Sequence, residues 1–162
     1  MFPFIVLFFQ IAIFRKGPQD VPPSGLLLNI VVVIFVCVHI LILSLNQVWP
    51  IALLQTAVEF LLIVVFSWPL LYFSGKLARF PQTFCALLGV DSVISFFAVP
   101  AFTSQNGLII LLLLIWHWAV SGNIYRYALD KPLSFGLGLV LLYRLISSQV
   151  IALLFPVISM QS

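Results

Sequence analysis

The chain is 162 residues long, 64% hydrophobic and 7% charged. No soluble domain of that length has such a composition, and a formal charge of +3 gives nucleic-acid binding no footing. The apolar residues fall into five blocks, each long enough for a hydrocarbon core about 30 Å thick. The expected fold is therefore an all-α polytopic membrane protein, one transmembrane bundle over residues 1–162 with short connections.

Residues 1–14 are nearly all apolar. A helix of that length covers about 21 Å, too little to span, so an interfacial or partly inserted helix is expected. The basic pair Arg15-Lys16 follows this run instead of preceding it, which argues against a signal peptide. RKGPQDVPPS, residues 15–24, cannot be a regular helix because of Gly17, Pro18, Pro22 and Pro23. Ser24 is placed to cap the first span, about 24–46, which carries Asn29 and His39.

The second span runs over about 50–74. Ala52, Gln55, Thr56 and Glu59 recur three or four apart on it and form one stripe that must face protein or water. The third span, about 81–102, has Asp91 in its middle and small residues at Cys85 and Gly89 that permit close helix approach. The fourth, about 108–128, places His117, Ser121 and Tyr125 on one face, with Trp116 and Trp118 beside the histidine and deep in the run. The fifth, about 132–155, has Arg144 in its middle and a small pair, Ser134 and Gly138. The two cysteines, Cys37 and Cys85, read as buried apolar-like residues.

Six of the seven basic residues, Arg15, Lys16, Lys76, Arg79, Arg126 and Lys131, fall on alternate connections. The excess of positive charge on inner loops then predicts a cytoplasmic N-terminus, five spans and an outer C-terminus.

RKGPQDVPPS, ARFPQTFCALLG at residues 78–89, and the stretch from Trp118 through Asn123-Ile124-Tyr125-Arg126 to Phe155-Pro156 resemble a group of small bacterial inner-membrane proteins with a Yip1-like five-span architecture. The resemblance implies five helices, a cytoplasmic N-terminus and a place in the bacterial cytoplasmic membrane, so that the outer C-terminus read from the charges is periplasmic. It implies no catalytic residue.

Glu59, Asp91, His117 and Arg144 all count to near the middle of their spans, with Gln55 one turn from Glu59, while His39 counts to a level nearer the outer face. An arginine at the midplane costs from ~3 kcal/mol to more than ~10 unless it finds a partner. It cannot shed its proton, so a carboxylate at the same depth is the expected solution. Asp91 is the first expected partner, directly or through one water, and Glu59 the second. Ser121 and His117 lack the strained turn of a hydrolase nucleophile, and His39 is at the wrong level to share a haem with His117. No catalytic, metal or cofactor site is expected. The function expected is a non-enzymatic accessory, assembly or scaffolding subunit, embedded in the lipid bilayer and bound to other membrane protein subunits or to itself. The alternative is a small proton- or ion-linked transporter using Glu59, Asp91 and Arg144.

Overall fold

The computed structural model describes residues 2–104 and 106–156. Gln105 and the uncharged tail after Pro156 lie outside the described residues, so the expected position of the C-terminus falls there too. The described residues form six helices and no strand: α1 Phe2–Ala12, α2 Gly25–Leu43, α3 Trp49–Phe73, α4 Phe80–Ser104, α5 Gly107–Leu129 and α6 Leu133–Leu154. Helices α2 to α6 are each long and apolar enough to cross a membrane. The chain is an all-α polytopic membrane protein.

Local sequence sets the ends of these helices. The Ser24 hydroxyl accepts from the Leu27 amide at the start of α2, and the Asn106 side chain accepts from Leu108 and Ile109 at the start of α5. At the end of α5 the chain turns through Asp130 in the left-handed region, φ 52°. The last four carbonyls of that helix, normally orphaned, are all met. The amides of Asp130 and Lys131 reach Arg126, and Arg79 Nη1 reaches Tyr127 and Ala128 at 3.3 and 3.4 Å. Lys76 Nζ reaches Leu129 at 2.6 Å. The same two cations grip the Asp130 carboxylate, Lys76 at 2.6 Å and Arg79 at 3.0 Å. The basic connection between α3 and α4 is thereby clamped to the end of α5.

Helix α4 is the centre of the bundle and packs against α1, α2, α3 and α5. Ala86, Leu88 and Val90 on it are fully or almost fully buried. Helix α1 docks along α4, and its Phe8 ring lies against Gly89, where any added Cβ would collide with the ring. Gly89 therefore accepts an aromatic ring where the small-residue pattern points to a helix backbone. Trp116 on α5 donates its indole N–H to the Ala12 carbonyl at 2.8 Å, satisfying the end of α1. Trp118 likewise donates to Leu137 on α6 at 2.9 Å. Both tryptophans sit deep in their span because they have carbonyl partners there, which in lipid they must.

Helices α5 and α6 touch most closely at Gly122 and Gly136, where a Cβ on Gly136 would strike the Gly122 carbonyl. The expected small pair Ser134 and Gly138 is not the contact: Ser134 is exposed and Gly138 faces open space. Both neighbours of Gly136 at two-residue spacing are small, and only the partner helix decides which one is used. Beyond Val140, α6 buries little, and Leu141, Leu142, Leu145 and Ile146 are all exposed. Cys85 is buried as expected but Cys37 is exposed. Around Cys37 the sequence of α2 is apolar on every side, so it gives little sign of which face turns outward.

Candidate functional site

Four helices bring their mid-span polar groups to one place. Asp91 on α4 lies between two histidines. Its Oδ2 is 2.9 Å from His39 Nε2 on α2, and its Oδ1 is 2.7 Å from His117 Nε2 on α5. His117 Nδ1 is in turn 2.6 Å from Arg144 Nη2 on α6. A second chain runs down α3. Gln47 Nε2 donates to Gln55 Oε1 at 3.1 Å, and Gln55 Nε2 donates to Glu59 Oε1 at 3.0 Å.

The five expected site residues, Gln55, Glu59, Asp91, His117 and Arg144, therefore do converge, but not as expected. Arg144 does not pair with Asp91 or with Glu59 among the described residues; His117 stands between Arg144 and Asp91. Asp91 and Arg144 each lie about eleven residues into their helices, but α5 lies between α4 and α6. A parallel pair of helices at equal depth need not be neighbours, and one sequence does not say which helices are. His39, assigned to a different level, is a full member of the cluster. Its helix ends at Leu43, only four residues on, so counting along the helix does not reveal that the imidazole reaches Asp91.

The hydrogen-bond geometry fixes most of the protons. Arginine only donates, so His117 Nδ1 must offer its lone pair to Arg144. His117 is then neutral, protonated on Nε2, and donates to Asp91 Oδ1. His39 Nδ1 lies 3.0 Å from the Phe35 carbonyl, which only accepts, so that nitrogen carries hydrogen. One proton remains, in the contact between His39 Nε2 and Asp91 Oδ2. It makes either an imidazolium and a carboxylate or an imidazole and a carboxylic acid, and both arrangements are neutral overall. Phe35 stacks on the His39 ring, 3.9 Å between centroids, and holds it in that orientation.

The cluster is not sealed. The side chains of His39, His117 and Asp91 retain 14%, 15% and 17% exposure because two cavities meet there. One, of about 110 Å³, continues past Ser121 towards Tyr125 and Tyr143. The other, of about 210 Å³, continues past Ser95 and Ala98 towards the opposite end of the bundle. His39, Glu59, Asp91, His117 and Arg144 line both. The face His117, Ser121 and Tyr125 read from the sequence forms one wall of the first cavity. Tyr125 and Ser67 close its end by sharing a 2.7 Å hydrogen bond between buried hydroxyls. Along α3 the polar stripe is real: Ala52, Gln55 and Thr56 are buried and Glu59 faces the cavities.

The arrangement can hold, pass and exchange a proton at Asp91. Among the described residues no group of three or more His, Cys, Asp or Glu side chains is placed to hold a metal ion. Comparison with protein-family models, curated proteins and solved structures finds no match for this chain.

Proposed function

We propose that this chain is a small, non-enzymatic, proton-linked transporter of the bacterial inner membrane. The observation that carries the reading is Asp91, a mid-span carboxylate shared by two histidines at the point where two cavities that run in opposite directions along the bundle meet. An arginine–carboxylate pair alone would serve to fix helix register. A carboxylate that shares one mobile proton with an imidazole, and that two cavities reach, has the parts of a relay. We place the basic ends of the helices and the N-terminus in the cytoplasm and the C-terminus in the periplasm, from the charge on alternate connections. The motifs that resemble Yip1-like inner-membrane proteins support the same placement. Cysteines substituted at Leu77 and at Asn106 check the orientation. Membrane-impermeant reagent added to intact spheroplasts should label the second alone, and labelling of the first would reverse the assignment.

The transport reading is tested with the purified chain in liposomes that enclose a pH-sensitive dye. In a medium that contains small monovalent anions, an imposed pH gradient should decay faster with the wild-type chain than with Asp91→Asn, which keeps the side-chain shape and both hydrogen bonds but has no carboxylate to protonate. Equal decay in the two, or none above empty liposomes, overturns it.

A second reading has its own observation. The far half of α6, with Arg144, Ser148 and Gln149, is exposed in the single chain. Polar groups on a bare helix in lipid are favourable at a contact with another membrane protein subunit or a second copy. An accessory or scaffolding subunit uses such a face, and a chain that carries no protons but co-purifies with a second membrane protein at fixed stoichiometry would be one.

A further inference from the structure

The charges of the cluster leave one cation over. His39, Asp91 and His117 together are neutral wherever the shared proton sits. Arg144 spends one of its five N–H donors on His117, and among the described residues it has no other protein partner. Its remaining donors belong to a side chain that lines both cavities, beside the Tyr143 and Ser147 hydroxyls in the smaller one. Glu59 lines the same two cavities, held by a single hydrogen bond from Gln55, and forms no ion pair with Arg144. The site thus has a permanently charged fork with open donor positions and one acid that is free to gain or lose a proton.

We propose that the Arg144 side of these cavities binds a small monovalent anion, and that the anion enters together with one proton taken up by Glu59. This rests on the proton-linked reading and names its substrate class. With Glu59 ionised, the cavity is neutral and a second negative charge is repelled. With Glu59 protonated, the cavity carries the uncompensated charge of Arg144, and an anion restores neutrality. In a low-dielectric setting that difference is large, so proton and anion bind as a unit. Guanidinium suits carboxylates and planar oxyanions because its donors form a fork. Cavities of about 110 and 210 Å³ admit a species of a few heavy atoms. The other titratable groups that line this cavity with Glu59 and Arg144 are His39 from α2, Asp91 from α4, His117 from α5, and the phenols Tyr125 from α5 and Tyr143 from α6. The first three form the internally neutral unit, and the two phenols are uncharged, so the anion's charge is left to Glu59 and Arg144.

The test is titration calorimetry on the full chain in neutral detergent, with lactate and nitrate as probes and choline as the cation control. Lactate, nitrate or both should bind the wild type and choline should not. Repeating the titration in buffers of different ionisation heat should show about one proton taken up per anion. Affinity should then fall about tenfold per pH unit on the alkaline side. Glu59→Gln should bind the anion with no proton uptake and no pH dependence over that range. Arg144→Gln should weaken binding at least tenfold, and Arg144→Lys should recover part of it. Neither anion binding the wild type overturns the proposal, as does proton uptake that persists in Glu59→Gln. If Arg144→Gln fails to fold, the Glu59→Gln titration decides alone. Proton flux that proceeds at full rate in liposomes free of small anions removes the anion site and leaves the relay. Proton-coupled anion binding without flux removes transport and leaves the site. Binding that appears only when anionic lipid is stripped away assigns the cavity to a lipid headgroup and also overturns the proposal.

Discussion

Two aspartates in this protein are each held between two basic groups, and they make a controlled pair. Asp130 accepts from Lys76 and Arg79 at the basic end of the bundle, with its side chain 59% exposed. Asp91 lies between His39 and His117 in the middle of the spans, 17% exposed. The first site uses two permanent cations. The second uses two imidazoles, which can be neutral, and passes the permanent cation one residue further out, to Arg144. In water a carboxylate between two full charges costs little and contributes little. In the bilayer, three full charges would be hard to desolvate, and two titratable rings let the net charge stay at zero while a proton still moves. The outer site ties loops together; the inner one can change state.

Substitution of the two carboxylates sharpens the contrast. Asp91→Leu should have the largest effect. It leaves the Nε2 atoms of His39 and His117 without their partner, and should destabilise the chain by about 3–5 kcal/mol, read from unfolding in detergent. A loss under about 1 kcal/mol would mean that the cluster does not organise the fold. Asp91→Asn should do less. Its carbonyl can still accept from His117 and its amide can donate to a neutral His39, so the cost should be about 1–2 kcal/mol. Asp130→Asn should have the smallest effect at neutral pH, because its partners are solvated. Hydrogen bonds from Lys76 and then Arg79 hold the Asp130 carboxyl below the usual carboxylate range. A depressed value in the folded state means that the contribution is fully present above the unfolded value, near 3.8, and is lost as pH falls through the folded one. The Asp130→Asn chain and the wild type should therefore differ at pH 6 and converge under strong acid. A difference that grows on acidification would contradict the clamp. High salt should shrink the difference at Asp130 and leave that at Asp91 unchanged.

Much of this was legible in the residues. Five spans, the cap at Ser24, the stripe on α3 and the face His117-Ser121-Tyr125 follow from residue types and spacing alone, whereas the cap at Asn106 is read only from the structure. The membership of Glu59, Asp91, His117 and Arg144 in one layer follows from counting along helices. Lateral order does not. That α5 separates α4 from α6 depends on packing between residues far apart in sequence, and that is why the expected Arg144–Asp91 pair became a three-residue chain. His39 was missed for a related reason. Its place near the end of α2 counts to a shallower level, and only the packing of α2 on α4 brings the ring to Asp91, where Phe35 one turn earlier stacks on it. Gly136 and Gly138 are equivalent as letters, and only the approach of Gly122 distinguishes them.

The glycine contact between α5 and α6 also makes α6 a lever. Its near end is fixed where Gly136 meets Gly122, while its far end has little to hold it. Arg144 lies about 12 Å along the axis from Gly136, and Leu154 about 27 Å, at ~1.5 Å per residue. A tilt of about 10° around the glycine pair carries Arg144 by roughly 2 Å and Leu154 by roughly 5 Å, on the same rise per residue. The first displacement is enough to part a 2.6 Å contact with His117.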